Sequence, residues 1–397
     1  METVYVIDSV RTPIGKYGGA LSSIRPDDML SIVIKALIER NNSVDVNAIE
    51  DVIAGAANQS GEDNRNVARM AALLAGLPTT IAGNTVNRLC ASGLQAIMDS
   101  ARTIACGDAQ MMIACGVESM SRAPFVMAKA TTAFDRNAQV FDTTMGWRFI
   151  NRKLAETYFP YSMGETAENV ARQWNISRHA QDEFAMESQQ KYANAEMNGK
   201  FKDEIIPVRV QIGKEVFDVE KDEHPRLSSF EKLSQLKPAF IKDGTVTAGN
   251  SSGINDGAAA MLLANEAAVK KFGLKPIAKV KSMAVAGVEP SVMGIGPIPA
   301  TTKALKRAGI SIADLDLIEL NEAFASQSIA CIHDLGLDLE KVNVNGGAIA
   351  LGHPLGCSGL RIATTLLHEM KRRKSKYGLT TMCVGVGQGA AIIFEGL

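Results

Sequence analysis

Among six cysteines, Cys90 has the setting that best fits a nucleophile. It comes immediately before a segment beginning at Leu94 whose apolar residues follow the three-four spacing of a helix. A free thiol has a pKa of about 8.5 and is only a few per cent ionised at neutral pH. A helix N-terminus favours the thiolate by about 0.3–1 kcal/mol, which is less than one pKa unit. Cys90 therefore needs a base or a cation nearby.

The best candidate for that base is His353. It lies in the segment 345–356, where several glycines surround one histidine. So many glycines imply tight backbone geometry and close approach of a ligand or another chain segment. The other four histidines lie in polar or helical settings, where surface positions are expected: His179, His224, His333 and His368.

A second unusual cysteine, Cys383, ends an apolar run and begins the spaced-glycine segment 383–389. Spaced glycines also occur in dinucleotide-binding motifs, but those open a helix. Here residues 390–394 continue as a strand, which argues against a dinucleotide site. The segment instead predicts a loop whose backbone N–H groups can point at an oxyanion.

These blocks resemble the signature motifs of the thiolase family, in the family's order and spacing. They are Asn87-x-x-Cys-Ala-Ser-Gly, Asn321-Glu322-Ala323-Phe324, the glycine-rich His353 segment, and Cys383-x-Gly-x-Gly-Gln-Gly. A fifth block, residues 247–257, resembles the family's CoA-contacting loop, and the similarity runs through essentially the whole chain. The resemblance implies an acetyl-CoA C-acyltransferase that cleaves 3-oxoacyl-CoA with CoA, by reversible Claisen chemistry, to acyl-CoA and acetyl-CoA.

The resemblance also implies four side-chain roles. Cys90 would be the nucleophile that carries the acyl group. His353 would activate Cys90 and, with a water held by Asn321, would stabilise the oxyanion of the substrate thioester. Cys383 would be the second acid/base, exchanging a proton with the α-carbon of acetyl-CoA or with the CoA thiol. A thiol whose pKa is close to 7 suits such a proton transfer.

The remaining implied contacts concern the oxyanion hole and CoA. The backbone N–H groups of Cys90 and Gly385 would form the other oxyanion hole. Ser252 would contact the pantetheine arm, and Arg226 would reach the nucleotide end. The resemblance implies no metal and no permanently bound cofactor, with CoA as a co-substrate.

The amino-acid composition limits the kinds of binding partner that can be expected. The chain has 397 residues, 46% hydrophobic and 21% charged, with a formal net charge of −1, so nucleic-acid binding is not expected. No apolar stretch approaches about 18 residues, and the start lacks the pattern of a targeting peptide. We expect a cytoplasmic protein that binds acyl-CoA and CoA, and the resemblance implies a homodimer or homotetramer.

Cysteine spacing excludes zinc ribbons, because no C-x-x-C pair occurs. Cys106, Cys115 and Cys331 are therefore expected to be small buried apolar residues.

Alternating β-branched runs and helical patterns predict an α/β fold. A Ser-Gly-Leu helix start followed by a buried strand occurs twice, near residues 92–117 and 358–386, which indicates an internal duplication. The resemblance implies the thiolase fold, with two duplicated βαβαβαββ halves in a layered α-β-α-β-α arrangement plus an inserted loop domain. The expected divisions are 1–120 with 244–273 for the N-terminal half, 121–243 for the loop domain and 274–397 for the C-terminal half.

The amino-acid composition of the loop domain differs from that of the two halves. Residues 121–243 contain both tryptophans and a charged helix over 177–198. We expect this insertion to cover one face of the first half and to shape a substrate pocket.

Substrate choice depends on weaker signals. Relatives specialised for acetoacetyl-CoA commonly carry a histidine where this chain has Ser162, and segments 61–69 and 141–149 resemble degradative thiolases, nearest the 3-oxoadipyl-CoA branch. A buried substrate carboxylate needs a basic partner, for which Arg148 is a candidate, although it could equally lie at an oligomer contact.

The alternative functions are a biosynthetic acetoacetyl-CoA thiolase (acetyl-CoA C-acetyltransferase) and a non-catalytic thiolase-like acyl-CoA-binding protein. Cys383 argues against a decarboxylating condensing enzyme of the same fold.

Overall fold

A computed structural model describes all 397 residues. The N-terminal half contains strands β1 (Tyr5–Arg11), β2 (Gly15–Lys16), β3 (Asp51–Gly55), β4 (Ala82–Val86) and β5 (Met111–Ser119), and helices α1 (Pro26–Arg40), α2 (Val67–Leu74) and α3 (Ser92–Cys106). The insertion contains β6 (Phe125–Met127), β7 (Val140–Asp142), α4 (Arg152–Thr157), α5 (Met163–Gln173), α6 (Arg178–Met197), β8 (Val208–Ile212), β9 (Glu215–Val219) and α7 (Phe230–Ser234).

After the insertion the chain completes the first half and forms the second. The first half ends with β10 (Asn255–Ala264) and α8 (Glu266–Phe272). The second contains strands β11 (Ala278–Gly287), β12 (Leu317–Leu320), β13 (Tyr377–Val384) and β14 (Gln388–Gly396), and helices α9 (Pro297–Ala308), α10 (Ala325–Leu335), α11 (Ala348–Leu351) and α12 (Leu355–Arg373).

The predicted duplication is confirmed by the sheet topology. The first half has the strand order β4-β3-β5-β10-β1, and the second has β12-β13-β14-β11. A parallel bridge between Ile318 and Val342 occupies the place that β4 has in the first half. The two sheets join edge to edge where Tyr5 and Val6 of β1 pair with Lys279 and Ala278 of β11.

The predicted five layers are also confirmed. Successive residues of β5 enter different cores, because side chains alternate across a strand. Ile113 and Cys115 belong to the outer core under α1 and α2, whereas Met112 and Ala114 face the central core that contains α3 and α12. A third core lies between the second sheet and helices α9 and α10. The layers are therefore helices, sheet, central helices, sheet and helices.

The insertion packs on the first half, as expected, but it also packs on the second half. Val208 and Val210 of β8 join the outer core of the first half. Helices α5 and α6 instead pack on the second half, where Val170 meets Ala330 and Ala185 meets Ala325. The insertion thus lies across the junction of the halves, because its strands and helices carry apolar faces toward different halves.

Three expectations need correction. Cys115 and Cys331 are buried as predicted, but Cys106 is exposed at the last turn of α3. His224 and His368 are buried rather than on the surface. His368 is buried because α12 is enclosed by both sheets, and its Nε2 lies 2.9 Å from the Ser9 carbonyl oxygen.

Candidate active site

Cys90 is held in a tight turn between β4 and α3. The Leu89 N–H donates to the Asn87 side chain at 2.8 Å, and the Ser92 hydroxyl donates to the Leu89 carbonyl at 2.6 Å. Leu89 adopts a left-handed conformation with φ of 46°, which is uncommon for a non-glycine residue. The turn places the half-buried Cys90 two residues before the first helical residue.

Cys383 and Gly385 meet Cys90 at this point. The backbone N–H groups of Gly385 and of Cys90 itself lie near the Cys90 sulfur and favour its thiolate form. Burial raises the pKa of the Cys90 thiol to about 11, although these N–H groups partly offset the effect. Burial, and then the proximity of Cys90, raises the pKa of the Cys383 thiol well above its ordinary value. Both thiols are therefore neutral at pH 7 in the free protein.

His353 and Asn321 form a second buried pair. The His353 Nδ1 lies 2.6 Å from the Ser358 Oγ and 3.5 Å from the Asn321 side-chain nitrogen. The Ser358 hydroxyl donates to the Pro354 carbonyl at 2.9 Å, so the imidazole proton is on Nδ1 and is donated to Ser358. The His353 Nε2 and the Asn321 Oδ1 have no hydrogen-bond partner within the chain.

The imidazole is neutral in this setting. Burial, and then the positive charge of Arg361, lowers the pKa of His353 to about 3. A neutral ring with its proton on Nδ1 has a free lone pair on Nε2, which can accept a proton from a thiol.

The two central helices bring these groups toward one place. A Cβ atom on Gly93 would lie 2.7 Å from the Leu360 nitrogen, and one on Gly359 would lie 2.3 Å from the Leu94 nitrogen, so only glycines permit this crossing of α3 and α12. His353 is two residues before α12, as Cys90 is two residues before α3. The crossing therefore brings equivalent positions of the two halves to the same site.

Glu118 is a buried carboxylate that sequence reasoning missed. It accepts N–H groups from Ala57 at 3.0 Å, Asn58 at 3.2 Å and Gly356 at 2.9 Å. Burial, and then the charge of Asp63, raises its pKa to about 7, and its own charge contributes to the raised pKa of the Cys90 thiol. Glu118 thus ties the start of α12 to the loop after β3. A charged residue in the wholly buried strand β5 was the available signal.

Ser358 and Asn255 were also missed, although both lie within or beside blocks that sequence analysis had quoted. Ser358 fixes the His353 tautomer, and the Asn255 side chain accepts the His353 backbone N–H at 2.9 Å. The available signal was position, since Asn255 lies within the block 247–257 and Ser358 lies two residues after the glycine-rich segment 345–356.

The two predicted CoA-contacting residues meet at the loop that precedes β10, because Ser252 belongs to this loop and Arg226 contacts it. The Ser252 backbone N–H donates to the Ala323 carbonyl at 3.0 Å, which ties the loop to the segment after Asn321. The exposed Arg226 donates to the Ala248 carbonyl at 2.6 Å, on the same loop. This surface is open to solvent at Arg226 and reaches the buried site through residues 321–324.

A cavity of about 230 Å³ adjoins the site, and most of its lining residues are hydrophobic. Met163 and Val386 are among them, whereas the half-buried Arg148 is not. The lining contains no Lys, Arg or His. Ser162 does not line the cavity either, because it forms the N-terminal capping box of α5 with Glu165.

No group of three or more His, Cys, Asp or Glu side chains is arranged to hold a metal ion. None of the helices combines the length and apolarity that a membrane span requires.

Comparisons with known proteins agree over the whole chain. The family model for the thiolase N-terminal domain matches residues 4–267, and that for the C-terminal domain matches residues 274–396. The chain is 55% identical to an Escherichia coli protein named beta-ketoadipyl-CoA thiolase and 48% identical to acetyl-CoA acetyltransferase of Escherichia coli K12, each alignment covering 100% of both chains.

Two solved structures have the same fold. Acetyl-CoA acetyltransferase of Bacillus anthracis is 42% identical with a TM-score of 0.94, covering 100% of this chain and 99% of the other. Human mitochondrial 3-ketoacyl-CoA thiolase in complex with CoA is 41% identical with a TM-score of 0.93, covering 100% of this chain and 98% of the other.

Proposed function

Because the chain belongs to the thiolase family of acyltransferases, which cleave 3-oxoacyl-CoA with CoA, we propose that its main substrate is 3-oxoadipyl-CoA. The observation that carries the thiolase chemistry is the meeting of two neutral thiols and two backbone N–H groups at Cys90, with an unprotonated imidazole nitrogen at the crossing of α3 and α12. The choice of substrate is supported by full-length relatives at 55% identity that carry the name beta-ketoadipyl-CoA thiolase.

In the first half-reaction, the free Nε2 of His353 accepts the Cys90 proton and the sulfur attacks the 3-oxo carbon of the substrate. The N–H groups of Cys90 and Gly385, which lie near the sulfur in the free protein, stabilise the oxyanion formed at that carbon. The bond between carbons 2 and 3 then breaks, and the acyl group stays on Cys90. The departing enolate takes a proton from Cys383 and leaves as acetyl-CoA.

In the second half-reaction, the Cys383 thiolate takes the proton of an incoming CoA thiol. The CoA sulfur attacks the acyl carbon, the C–S bond to Cys90 breaks, and Cys90 recovers its proton from His353. Earlier, in the first half-reaction and before Cys383 protonates the enolate, the protonated Nε2 donates to the thioester oxygen of the departing acetyl-CoA enolate. The unpartnered Oδ1 of Asn321 supports the role of holding a water beside the imidazole.

For CoA, we assign the pantetheine arm to Ser252 and the nucleotide end to Arg226. This assignment is supported by the loop before β10, which exposed Arg226 contacts at Ala248 and which Ser252 ties to the buried segment after Asn321. CoA acts as a co-substrate and no permanently bound cofactor is proposed. Alanine at Ser252 is expected to raise the KM for CoA with a smaller change in kcat.

The proposed architecture keeps the N-terminal half as 1–120 with 244–273, the loop domain as 121–243 and the C-terminal half as 274–397. A cytoplasmic homodimer or homotetramer is proposed. Association is supported by β4, which lies at the end of the ten-stranded sheet with one edge unpaired, because unpaired edges favour pairing with another chain. Light scattering on the purified protein gives the oligomeric state.

The test of substrate choice is kcat/KM for acetoacetyl-, 3-oxohexanoyl- and 3-oxoadipyl-CoA, measured side by side. The proposal expects 3-oxoadipyl-CoA to be preferred. A clear preference for acetoacetyl-CoA would make this a biosynthetic-type enzyme, and thioester binding without turnover of any of the three would indicate a non-catalytic protein. Arg148→Met should lower only the 3-oxoadipyl-CoA value if Arg148 pairs with the substrate carboxylate, and should change all three equally if it is an oligomer contact.

A further inference from the structure

Val386 has a backbone conformation that its residue type disfavours. It is the middle residue of the turn Gly385–Gly387, which joins β13 to β14, and its φ is 60°. A β-branched side chain in the left-handed region is a genuine outlier, whereas glycine or asparagine adopts this region readily. The next residue, Gly387, is also left-handed with φ of 77°. A valine at this place therefore calls for an explanation in terms of its side chain.

Core packing does not provide that explanation. Val386 is 42% exposed in a turn whose two glycines are buried. Its side chain instead lines the cavity of about 230 Å³, together with Met163 and Pro290. Strained residues that persist without a packing reason occur preferentially at functional sites.

The cavity begins beside the reacting atoms. The Gly385 N–H lies near the Cys90 sulfur, and a Cβ atom on Gly385 would lie 3.1 Å from Leu89 Cδ1 and 3.7 Å from Met163 Sδ. Met163 also lines the cavity, so an acyl group bonded to Cys90 has this space next to it. The mostly hydrophobic lining suits methylene groups.

We infer that Val386 is a specificity-determining residue, whose isopropyl group forms the wall of the acyl cavity beside Gly385 and limits the width of the acyl chain. This inference rests on the proposed thiolase function. Its physical basis is that one methyl group filling or blocking an apolar pocket changes kcat/KM by about tenfold or more. A purely structural role for Val386 in the turn would move the oxyanion donor and would affect every substrate alike.

The experiment compares Val386→Gly, Val386→Ala and Val386→Asn with the wild-type enzyme. The measured quantity is the ratio of kcat/KM for 5-methyl-3-oxohexanoyl-CoA to that for straight-chain 3-oxohexanoyl-CoA. Glycine and alanine both remove the two methyl groups, and each should raise this ratio about tenfold. Asparagine keeps the side-chain bulk in a left-handed turn, so its ratio should stay near that of the wild type.

An unchanged ratio in the glycine and alanine variants would overturn the inference, as would equal losses on both substrates. The alanine variant keeps the test decisive if the glycine variant fails to fold. Failure of the proposed function is a separate outcome, because the wild-type enzyme would then turn over neither thioester.

Discussion

The protonation state of Cys90 and His353 before substrate binds can be predicted from the structure. With the pKa of Cys90 raised to about 11 and that of His353 lowered to about 3, transfer of the proton from sulfur to imidazole costs about 11 kcal/mol. Even at a contact separation of about 4 Å, attraction between the resulting charges would return only about 4 kcal/mol at an effective dielectric constant of 20. The neutral pair is therefore favoured by several kcal/mol. Cys90 should not be a standing thiolate.

Alkylation by iodoacetamide measures this directly, because only the thiolate reacts at an appreciable rate. At pH 8 about 0.1% of a thiol with a pKa of 11 is ionised. The rate at Cys90, followed by mass spectrometry of its peptide, should rise about tenfold for each pH unit from pH 6 to 10. The exposed Cys106 supplies a reference rate in the same sample, and Cys90→Ala confirms the peptide assignment.

The opposite result would be a rate at Cys90 that is constant between pH 5 and 7 and exceeds that at Cys106. Such a plateau would mean that a thiolate–imidazolium pair already exists in the free enzyme. The argument that burial outweighs the attraction between the two groups would then be refuted.

Four substitutions test the remaining assignments. Cys90→Ala should abolish turnover and acyl-enzyme formation while CoA binding survives, and transfer of radiolabelled acetyl to this variant would contradict the nucleophile assignment. Cys383→Ala should still be acylated by acetyl-CoA but should lose about 10²–10⁴-fold in condensation rate, so normal condensation would exclude Cys383 as the second acid/base. Ser358→Ala leaves the His353 Nδ1 proton without its acceptor, at a cost of about 1–3 kcal/mol, and kcat should fall while the KM for CoA changes little; wild-type kcat would show that Ser358 does not fix the tautomer. Burial raises the pKa of Glu118 from 4.5 to about 7, so the folded state keeps this proton to a higher pH than the unfolded state does. The free energy of unfolding should therefore fall by about 3 kcal/mol as pH rises from 4.5 to 7. Denaturant unfolding of Glu118→Gln at pH 5 and 8 should lack this decline, and an identical pH dependence in both proteins would show that Glu118 does not titrate there.

The two central helices could be located from the sequence because several local patterns indicate the same segments. Residues after Ser92 follow helical spacing, and the glycines near both helix starts are needed where α3 and α12 cross. The two halves could thus be predicted from the sequence alone. The family motifs then supplied Cys90, His353 and Cys383, each of which lies at the end of a predicted element.

Other features depend on contacts that no local pattern records. Helix α12 carries three polar residues, Arg361, Thr365 and His368, and all three are buried. The Thr365 hydroxyl donates to Glu204, a residue distant in sequence, and Arg361 pairs with Glu319 at 3.5 Å. Burial of this polar face results from enclosure between the two sheets, and only the tertiary fold shows it.

In the proposed mechanism, the site stabilises charge at the oxyanion rather than on sulfur. The N-terminal ends of α3 and α12 converge near Cys90 and His353, and each helix dipole contributes about 0.3–1 kcal/mol in favour of an anion. Burial opposes this with a larger effect on the sulfur, since a pKa raised from 9.0 to about 11 corresponds to about 3 kcal/mol. In this mechanism, the N–H groups of Gly385 and Cys90 already lie near the sulfur before substrate binds, so they need little reorganisation when negative charge develops on the 3-oxo oxygen. A neutral resting site with preset donors therefore favours the tetrahedral intermediate over a standing thiolate, which accounts for a nucleophile placed at a helix N-terminus and nevertheless kept protonated.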